Sequence, residues 1–261
     1  MLALRNTAIE IFQYREVLLS ILSRELKVKY KRTSLGYLWS LLNPVLQLLV
    51  LAAVFSHIVR QGVRDYTLYL FSGLLAWNFF SSTVQTSAKA LLENENFIKK
   101  IYLPKILFPL SKLCLRAIEF SFSIIALSFV GLLIGLHVKA TVILLPLVSI
   151  PLFLFTLGLS IIVSVATVYF RDVEYLLNVF MQLLYFATPI MYPVALLPSQ
   201  YRIILSLNPF YSQLVLFQRV IYDGVIPSGM EWFTAYAVGL LMLGVGLIVM
   251  SKLEDDLVYR M

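Results

Sequence analysis

The chain has 261 residues, of which 60% are hydrophobic and only 13% are charged. A single soluble core cannot bury that apolar fraction, so the composition excludes a water-soluble domain and indicates a protein embedded in a bilayer. Membrane topology explains the net charge of +7 better than nucleic-acid binding does, because long runs almost free of charge separate the basic residues. With one cysteine and two histidines in the sequence, no disulfide, metal site or cofactor is expected.

Residues 1–35 predict an amphipathic helix that lies on the cytoplasmic membrane surface. Thr7 and Glu10 have the spacing of a capping box. Further along, apolar and basic side chains separate onto two helical faces, as is typical of an interfacial helix. The apolar face holds Phe12, Leu19, Leu22 and Leu26, and the basic face holds Arg24, Lys27 and Lys31. Anchoring to membrane lipids and docking on a partner protein fit this pattern equally well.

Six segments are candidates to cross the membrane, given that ~20 apolar residues span ~30 Å of hydrocarbon. They are 37–59, 67–88, 109–136, 141–168, 175–191 and 232–250. The predicted fold is therefore an all-α polytopic membrane protein, with residues 36–261 forming one transmembrane domain. Six crossings place both termini on the same side. That side holds most of the lysines and arginines, so the positive-inside rule predicts cytoplasmic termini.

Prolines break the chain after the fifth segment. Pro189, Pro193, Pro198 and Pro209 forbid one continuous helix in this region. Non-helical backbone at membrane depth is tolerated only where protein or water covers it, so short re-entrant or periplasmic helices are expected between the fifth and sixth spans. We interpret the region of about 189–210 as a gate, with a packed loop that has no moving parts as the alternative.

Residues 93–102, between the second and third predicted spans, indicate a short amphipathic helix in a cytoplasmic loop. Glu95 and Lys99 form an i,i+4 pair, and Pro104 follows the segment. Two or three helical turns are expected. Such a helix suits docking on another protein, although a solvated connector has the same pattern.

The sequence contains no pattern that indicates catalysis. The phosphate-binding loop G-x-x-x-x-G-K-[ST] and the motifs G-x-S-x-G and H-E-x-x-H are absent. Charged residues inside spans are functional candidates, and only Arg116 and Glu119 qualify clearly; we interpret them as an intrahelical pair. The spans lack the series of acidic residues across the membrane that ion-coupled transport needs. The chain is therefore expected not to be an enzyme, and a transport function would require energy from another subunit.

Aromatic residues make up 14% of the chain, more than interfacial belts need. An aromatic ring offers an apolar face, and tyrosine and tryptophan add one polar group, which suits the passage of sugars. The expected channel aromatics are Tyr37, Trp39, Tyr185 and Tyr192, and a position in the interfacial belt is the alternative for each of them.

Several motifs in chain order resemble the Wzm-like ABC-2 permeases, which export polysaccharides such as O-antigen, capsule and teichoic acid. They are RELKVKYKRTSLGYLWSLLNP at 24–44, NFIKK at 96–100, LPK at 103–105, YFRDV at 169–173, the TPI to P turn at 188–193, and NPF at 208–210. The resemblance implies an inner-membrane homodimeric channel for a lipid-linked polysaccharide, driven by two copies of a separate ATPase. It also implies a periplasmic gate in the proline-broken region and a coupling helix at 93–102. The residues then expected to contact the ATPase are Glu93, Glu95, Phe97, Ile98, Lys99 and Lys100.

Two other classes stay open. An ABC-2 exporter of drugs or lipids would share the architecture. A membrane-embedded enzyme that acts on lipid-linked sugars would need intramembrane acidic or histidine residues, and the spans contain almost none.

Overall fold

The computed structural model describes residues 10–31, 36, 38–59, 63–134, 139–198, 200, 205 and 207–261, and these residues form helices and connecting turns without a β-strand. The α-helices within those ranges are α1 (Arg15–Tyr30), α2 (Leu38–Val59), α3 (Val63–Ala88), α4 (Glu95–Lys100), α5 (Leu107–Ile134), α6 (Leu145–Tyr169), α7 (Val173–Ala187), α8 (Pro209–Phe217) and α9 (Gly229–Arg260). Three 3₁₀ turns lie at Leu92–Asn94, Ala140–Leu144 and Val194–Leu196, and a π-helical segment, Gln218–Asp223, continues α8. The all-α prediction is confirmed for these ranges.

Each predicted span overlaps a helix, although 175–191 runs past the end of α7 at Ala187 and α9 continues ten residues beyond 232–250. In the described part of the chain, two helices are long and apolar enough to cross a membrane, Ala140–Tyr169 and Gly229–Arg260. Leu41–Leu51 and Val173–Ala187 are shorter apolar helices. The count of six crossings therefore stays a prediction.

The helix α3 packs at the centre of the main hydrophobic core, in contact with α2, α5 and α6. Trp77 organises this core through aromatic contacts, with ring centroids 5.6 Å from Phe80, 5.4 Å from Tyr185 and 5.3 Å from Phe210. Edge-to-face and tilted ring pairs at these distances add to the free energy gained by burial. The packing fixes α7 and α8 against α3.

Glycines bring α6 and α9 into backbone contact. A Cβ atom added at Gly158 of α6 would lie 2.3 Å from the carbonyl carbon and oxygen of Met242 on α9. One added at Gly246 would lie 2.6 Å from the carbonyl oxygen of Gly158. Small residues permit this close approach, which maximises dispersion contacts between helices in a bilayer.

A second core cluster joins α1, the 90–108 region and the C-terminal halves of α6 and α9. Its buried members are Ala90, Leu91, Ile98, Leu103, Ile106, Phe108, Ile161, Val165, Val168, Met250 and Leu257. Val17 and Ile21 of α1 pack against the cluster, whereas Phe12 and Leu19 point away from it and are exposed. The predicted capping box lies partly outside the described residues, since Thr7 precedes them. The placement of α1 on a membrane surface stays a prediction.

The chain is not a continuous helix between α7 and α8. Asn208 ends the break by accepting a hydrogen bond from the Phe210 amide on its side chain, and Pro209 occupies the first helical position. Phe210, Leu214 and Phe217 then bury the same face of α8. The sequence analysis expected short helices here, but it did not place α8 or the π-helical segment.

Candidate functional site

Two adjoining recesses form the candidate functional site. The open groove has a volume of about 840 Å³ and lies between α2, α3 and α7. The inner cavity has a volume of about 520 Å³ and lies between α2, α3 and α5, with Lys29 of α1 at its edge. Both recesses are lined by the same polar strip, which consists of Asn43, Gln47, Asn78, Ser81 and Gln85.

Helical spacing creates this polar strip. Asn43 and Gln47 are four residues apart on α2, and Asn78, Ser81 and Gln85 are three and four apart on α3, so each group lies on one helical face. The Asn78 side-chain amide donates to the Gln47 carbonyl oxygen over 3.0 Å. The polar residues that α7 contributes to the open groove follow the same spacing: Asn178, Gln182 and Tyr185. Sequence reasoning missed the strip, although polar residues recurring at three and four positions within apolar helices were its visible signal.

The four predicted channel aromatics have different positions. Tyr185 lines the open groove and Trp39 lines the inner cavity. Tyr192 is half-buried in the bend after α7 and donates its hydroxyl to the Phe186 carbonyl oxygen over 2.9 Å. Tyr37 lies outside the described residues. Two of the four therefore line the recesses.

Three charged residues line the inner cavity: Lys29, Arg116 and Glu119. Arg116 Nη1 donates to Glu119 over 2.7 Å, which confirms the predicted intrahelical pair. Lys29, which sequence reasoning did not include, reaches from α1 and donates to the same carboxylate. Burial lowers the pKa of Lys29 from its ordinary value, and the hydrogen bond to Glu119 opposes that change.

Ion pairs tie the segment around α4 to α1 and α5. Lys112 of α5 lies 3.0 Å from Glu25 of α1 and 2.9 Å from Glu93, which precedes α4. Arg24 of α1 donates to the Asn94 side chain over 2.8 Å. Lys112 and Glu25 are both largely buried, so this is a partly desolvated contact and not a surface pair.

The helix α4 is shorter than predicted, with six residues that end at Lys100. Phe97 is 47% exposed and lies under the Arg24 guanidinium, whereas Ile98 is 7% exposed and belongs to the second core cluster. The predicted pair of Lys99 with Glu95 is present at 2.6 Å. Lys99 also donates to the Met261 carbonyl oxygen over 2.7 Å. Among the apolar residues of α4, Phe97 is thus the one whose surface is open to a partner.

The first part of the proline-rich segment is fixed to its surroundings. The buried Pro189 carbonyl oxygen accepts from the Tyr69 hydroxyl over 2.6 Å and from the Gln218 side chain over 3.0 Å. The Asn208 amide donates to the Thr188 hydroxyl over 2.9 Å. Pro193 is half-buried, and Pro198 and Pro209 are exposed. The predicted gate region therefore consists of an anchored start and a more exposed continuation, of which 199, 201–204 and 206 lie outside the described residues.

Comparison with known proteins gives one consistent result. A family model for ABC-2 type transporters matches residues 16–222, which include both recesses and α4. The chain is 31% identical to the O-antigen export system permease protein RfbA of Myxococcus xanthus, over 90% of this chain and 91% of that protein. It is 30% identical to RfbA of Klebsiella pneumoniae, over 92% of each chain. It is 27% identical to the polysialic acid transport protein KpsM of Escherichia coli, over 89% of this chain and 91% of that protein. From the matched segment and these relatives we conclude that the chain belongs to the ABC-2 type transporter family.

Proposed function

We propose that the chain is the membrane permease subunit of an ABC transporter that exports a polysaccharide, such as O-antigen, on a lipid carrier across the inner membrane. The observation that carries this proposal is the open groove, whose amides, hydroxyls and rings can bind sugar hydroxyls and sugar faces in turn. The relatives named for O-antigen export and polysialic acid transport support the same substrate class. Membership of a transporter family agrees with a transport subunit that is not itself an enzyme.

In this proposal the chain crosses the membrane six times, through α2, α3, α5, α6, α7 and α9, with both termini in the cytoplasm. The polar strip accounts for the polar side chains within α2 and α3, since side chains that face a groove need not be apolar. The ionic contacts of Lys29 and Lys112 then lie on the cytoplasmic side, where basic residues are favoured.

A second copy of the chain closes the open groove into a channel in this proposal. Exposed apolar side chains border the groove on both helices that would meet the partner. On α2 these are Leu46, Leu49, Val50 and Val54, and on α7 they are Leu176, Val179, Phe180 and Leu183. Val179→Cys, in a chain whose free Cys114 is replaced by alanine, is expected to form a disulfide-linked dimer in membranes under oxidation.

Two copies of an ABC ATPase dock on the cytoplasmic face in this proposal, one on each α4. The exposed apolar residues of the loop, Phe97, Ile101 and Tyr102, supply the contact surface. A groove of about 320 Å³ lies beside Phe97, between α1 and α4, and can receive a side chain of the partner. The charged residues around this surface are Glu93, Glu95, Lys99 and Lys100. Glu93 pairs with Lys112 of α5, and Glu95 pairs with Lys99 within α4.

Residues 189–210 form the periplasmic gate in this proposal. The anchored turn at Pro189 provides a fixed point, and the exposed residues after Pro193 provide a cover for the outer end of the channel. A channel wide enough for a sugar chain would leak ions if it were permanently open, so a closing element is required.

Export in cells tests the proposal directly. In a strain that lacks the native gene, the parent chain is expected to restore polysaccharide on the cell surface, whereas Gln182→Leu is expected to leave polysaccharide in the cytoplasm because it removes a groove amide. Gln13→Leu is the matched control, since Gln13 is exposed on the N-terminal helical segment and lies far from the groove in sequence. The double variant Gln182→Leu/Gln47→Leu removes two groove amides. Normal export by this double variant would contradict the assignment of the groove as the polysaccharide path.

A second measurement tests whether ATP is hydrolysed by this chain or by a separate subunit. The purified chain is expected to hydrolyse no ATP, because its sequence contains no phosphate-binding loop. Hydrolysis is expected only when the ATPase subunit is added. Robust hydrolysis by the chain alone, once contaminants are excluded, would refute the assignment as a permease subunit.

A further inference from the structure

The inner cavity carries an excess of positive charge. Its charged lining among the described residues comprises two cations, Lys29 and Arg116, and one carboxylate, Glu119. Both cations contact that carboxylate. The trio therefore has a net charge of +1, and the Arg116 and Glu119 side chains are largely buried, so a compensating anion is favoured there.

Arg116 has unused capacity to donate hydrogen bonds. Its Nη1 atom donates to Glu119, but its Nε atom is buried and has no acceptor among the described residues. A buried donor on a charged group is costly when it is left unsatisfied. The guanidinium fork matches the oxygens of a phosphate group, which can accept from two of its nitrogens at once.

The neutral lining of the inner cavity suits a polar group attached to such an anion. Amides and hydroxyls of Asn78, Gln85 and Ser123 face it, together with the Trp39 ring. A volume of about 520 Å³ lies within the range of small-molecule sites. Arg116 lies nine residues into α5, at a depth of roughly 13 Å from its first residue. In the proposed orientation the cavity therefore extends inward from the cytoplasmic interface, where the phosphate groups of lipids are found.

We propose that the inner cavity binds a phosphate ester, with Arg116 and Lys29 as the anion-binding pair and Glu119 as the carboxylate that competes with the phosphate. The phosphate can come from a phospholipid of the bilayer or from a phosphorylated molecule that enters from the cytoplasm. This proposal deepens the proposed function, and it rests on that function only for the side from which the ligand enters.

Calorimetric titration with inorganic pyrophosphate tests the site. The full-length chain is placed in micelles of a nonionic detergent that contains no phosphate, without an ATPase subunit, so that neither a lipid nor a nucleotide site competes for the probe. Arg116→Gln is expected to weaken binding by about tenfold or more, as the loss of a charge-assisted contact predicts. Glu119→Gln is expected to strengthen binding several-fold, because the competing carboxylate is gone. Arg171→Gln is the matched control, since Arg171 is exposed in the loop between α6 and α7.

The opposite signs of the two variants separate a binding site from a structural ion-pair network. If both variants weaken binding and both lower the melting temperature, the trio is structural and the proposal is overturned. Lack of pyrophosphate binding by the parent chain, or equal binding by the parent and Arg116→Gln, also overturns it. Because no transport is measured, these results are independent of the test of polysaccharide export.

A change of lipid identifies the source of the phosphate. The same titration is repeated in detergent micelles to which phosphatidylglycerol is added. Suppression of pyrophosphate binding to the parent chain shows that a bilayer lipid occupies the site. Unchanged binding shows that the site takes its phosphate from a molecule in solution.

Discussion

The contact between α6 and α9 provides the sharpest test of the packing, because two glycines of α9 differ in their surroundings. A Cβ atom at Gly246 would lie 2.6 Å from the Gly158 carbonyl oxygen and 3.0 Å from its Cα atom, whereas one at Gly244 would meet no atom within 4 Å. Alanine raises helix propensity at both positions by a similar amount, about 1 kcal/mol. The difference between Gly246→Ala and Gly244→Ala therefore isolates the steric cost of separating the helices.

That cost follows from the distances. Ordinary contact of a Cβ atom begins at 3.4 Å, so α6 and α9 must separate by roughly 0.5–1 Å to admit alanine at 246. A gap of that size forfeits a quarter to a half of each dispersion contact it opens, and overpacking of this kind typically costs about 1–3 kcal/mol. Gly158→Ala should cost more, because its Cβ atom would lie only 2.3 Å from the Met242 backbone.

Thermal unfolding of the chain in one detergent provides the assay. The expected order of melting temperatures is Gly244→Ala highest, Gly246→Ala several degrees lower, and Gly158→Ala lowest. Equal melting temperatures for the two α9 variants would refute the inference of direct backbone contact. A lower melting temperature for Gly244→Ala than for Gly246→Ala would contradict the placement of the α9 face.

Three further predictions concern the cytoplasmic and outer ends. Phe97→Asp should leave the chain folded but abolish stimulation of the ATPase, whereas Ile98→Asp should lower the melting temperature because it buries a charge. Co-purification with the ATPase and thermal unfolding distinguish the two variants. Normal coupling by Phe97→Asp would mean that the loop is only a connector. Lys112→Met should destabilise the chain by about 3 kcal/mol, because it leaves the largely buried Glu25 carboxylate without its partner, and an unchanged melting temperature would show that the pair is solvated. Deletion of 194–207 should raise ion leak through the reconstituted dimer while insertion stays normal; conductance equal to that of the parent would make this segment structural packing.

Local patterns were sufficient to predict most of the helices. Apolar runs placed α5 at 109–136 and the structure has it at Leu107–Ile134, since an apolar run longer than ~20 residues favours one long helix. The interruption by Pro189 was equally visible, because proline excludes continuous helical hydrogen bonding. The pair of Arg116 with Glu119 could also be predicted from local sequence, since the two residues lie within one turn of one helix.

Contacts between distant segments could not be predicted in this way. Lys29 lies 90 positions before Glu119 in sequence, and nothing local indicates that α1 reaches α5. Gly158 is one of several glycines in apolar helices, and only the packing of α9 shows why it cannot carry a side chain. Ile98 and Phe97 are adjacent and both apolar, so the sequence could not tell which of them the second core cluster would bury.

The second core cluster makes the proposed contact surface for an ATPase a composite structure. Ile98 packs with residues from the C-terminal halves of α6 and α9, Lys105 pairs with Glu254 of α9 over 3.3 Å, and Arg24 of α1 covers Phe97. A displacement of α4 would therefore move α1 and the C-terminal end of α9 together with it. If an ATPase docks on α4 as proposed, a chimaera that exchanges only residues 93–102 between two permeases would lose this connection, and a transfer of ATPase preference would require α1 and the last turns of α9 to be exchanged as well.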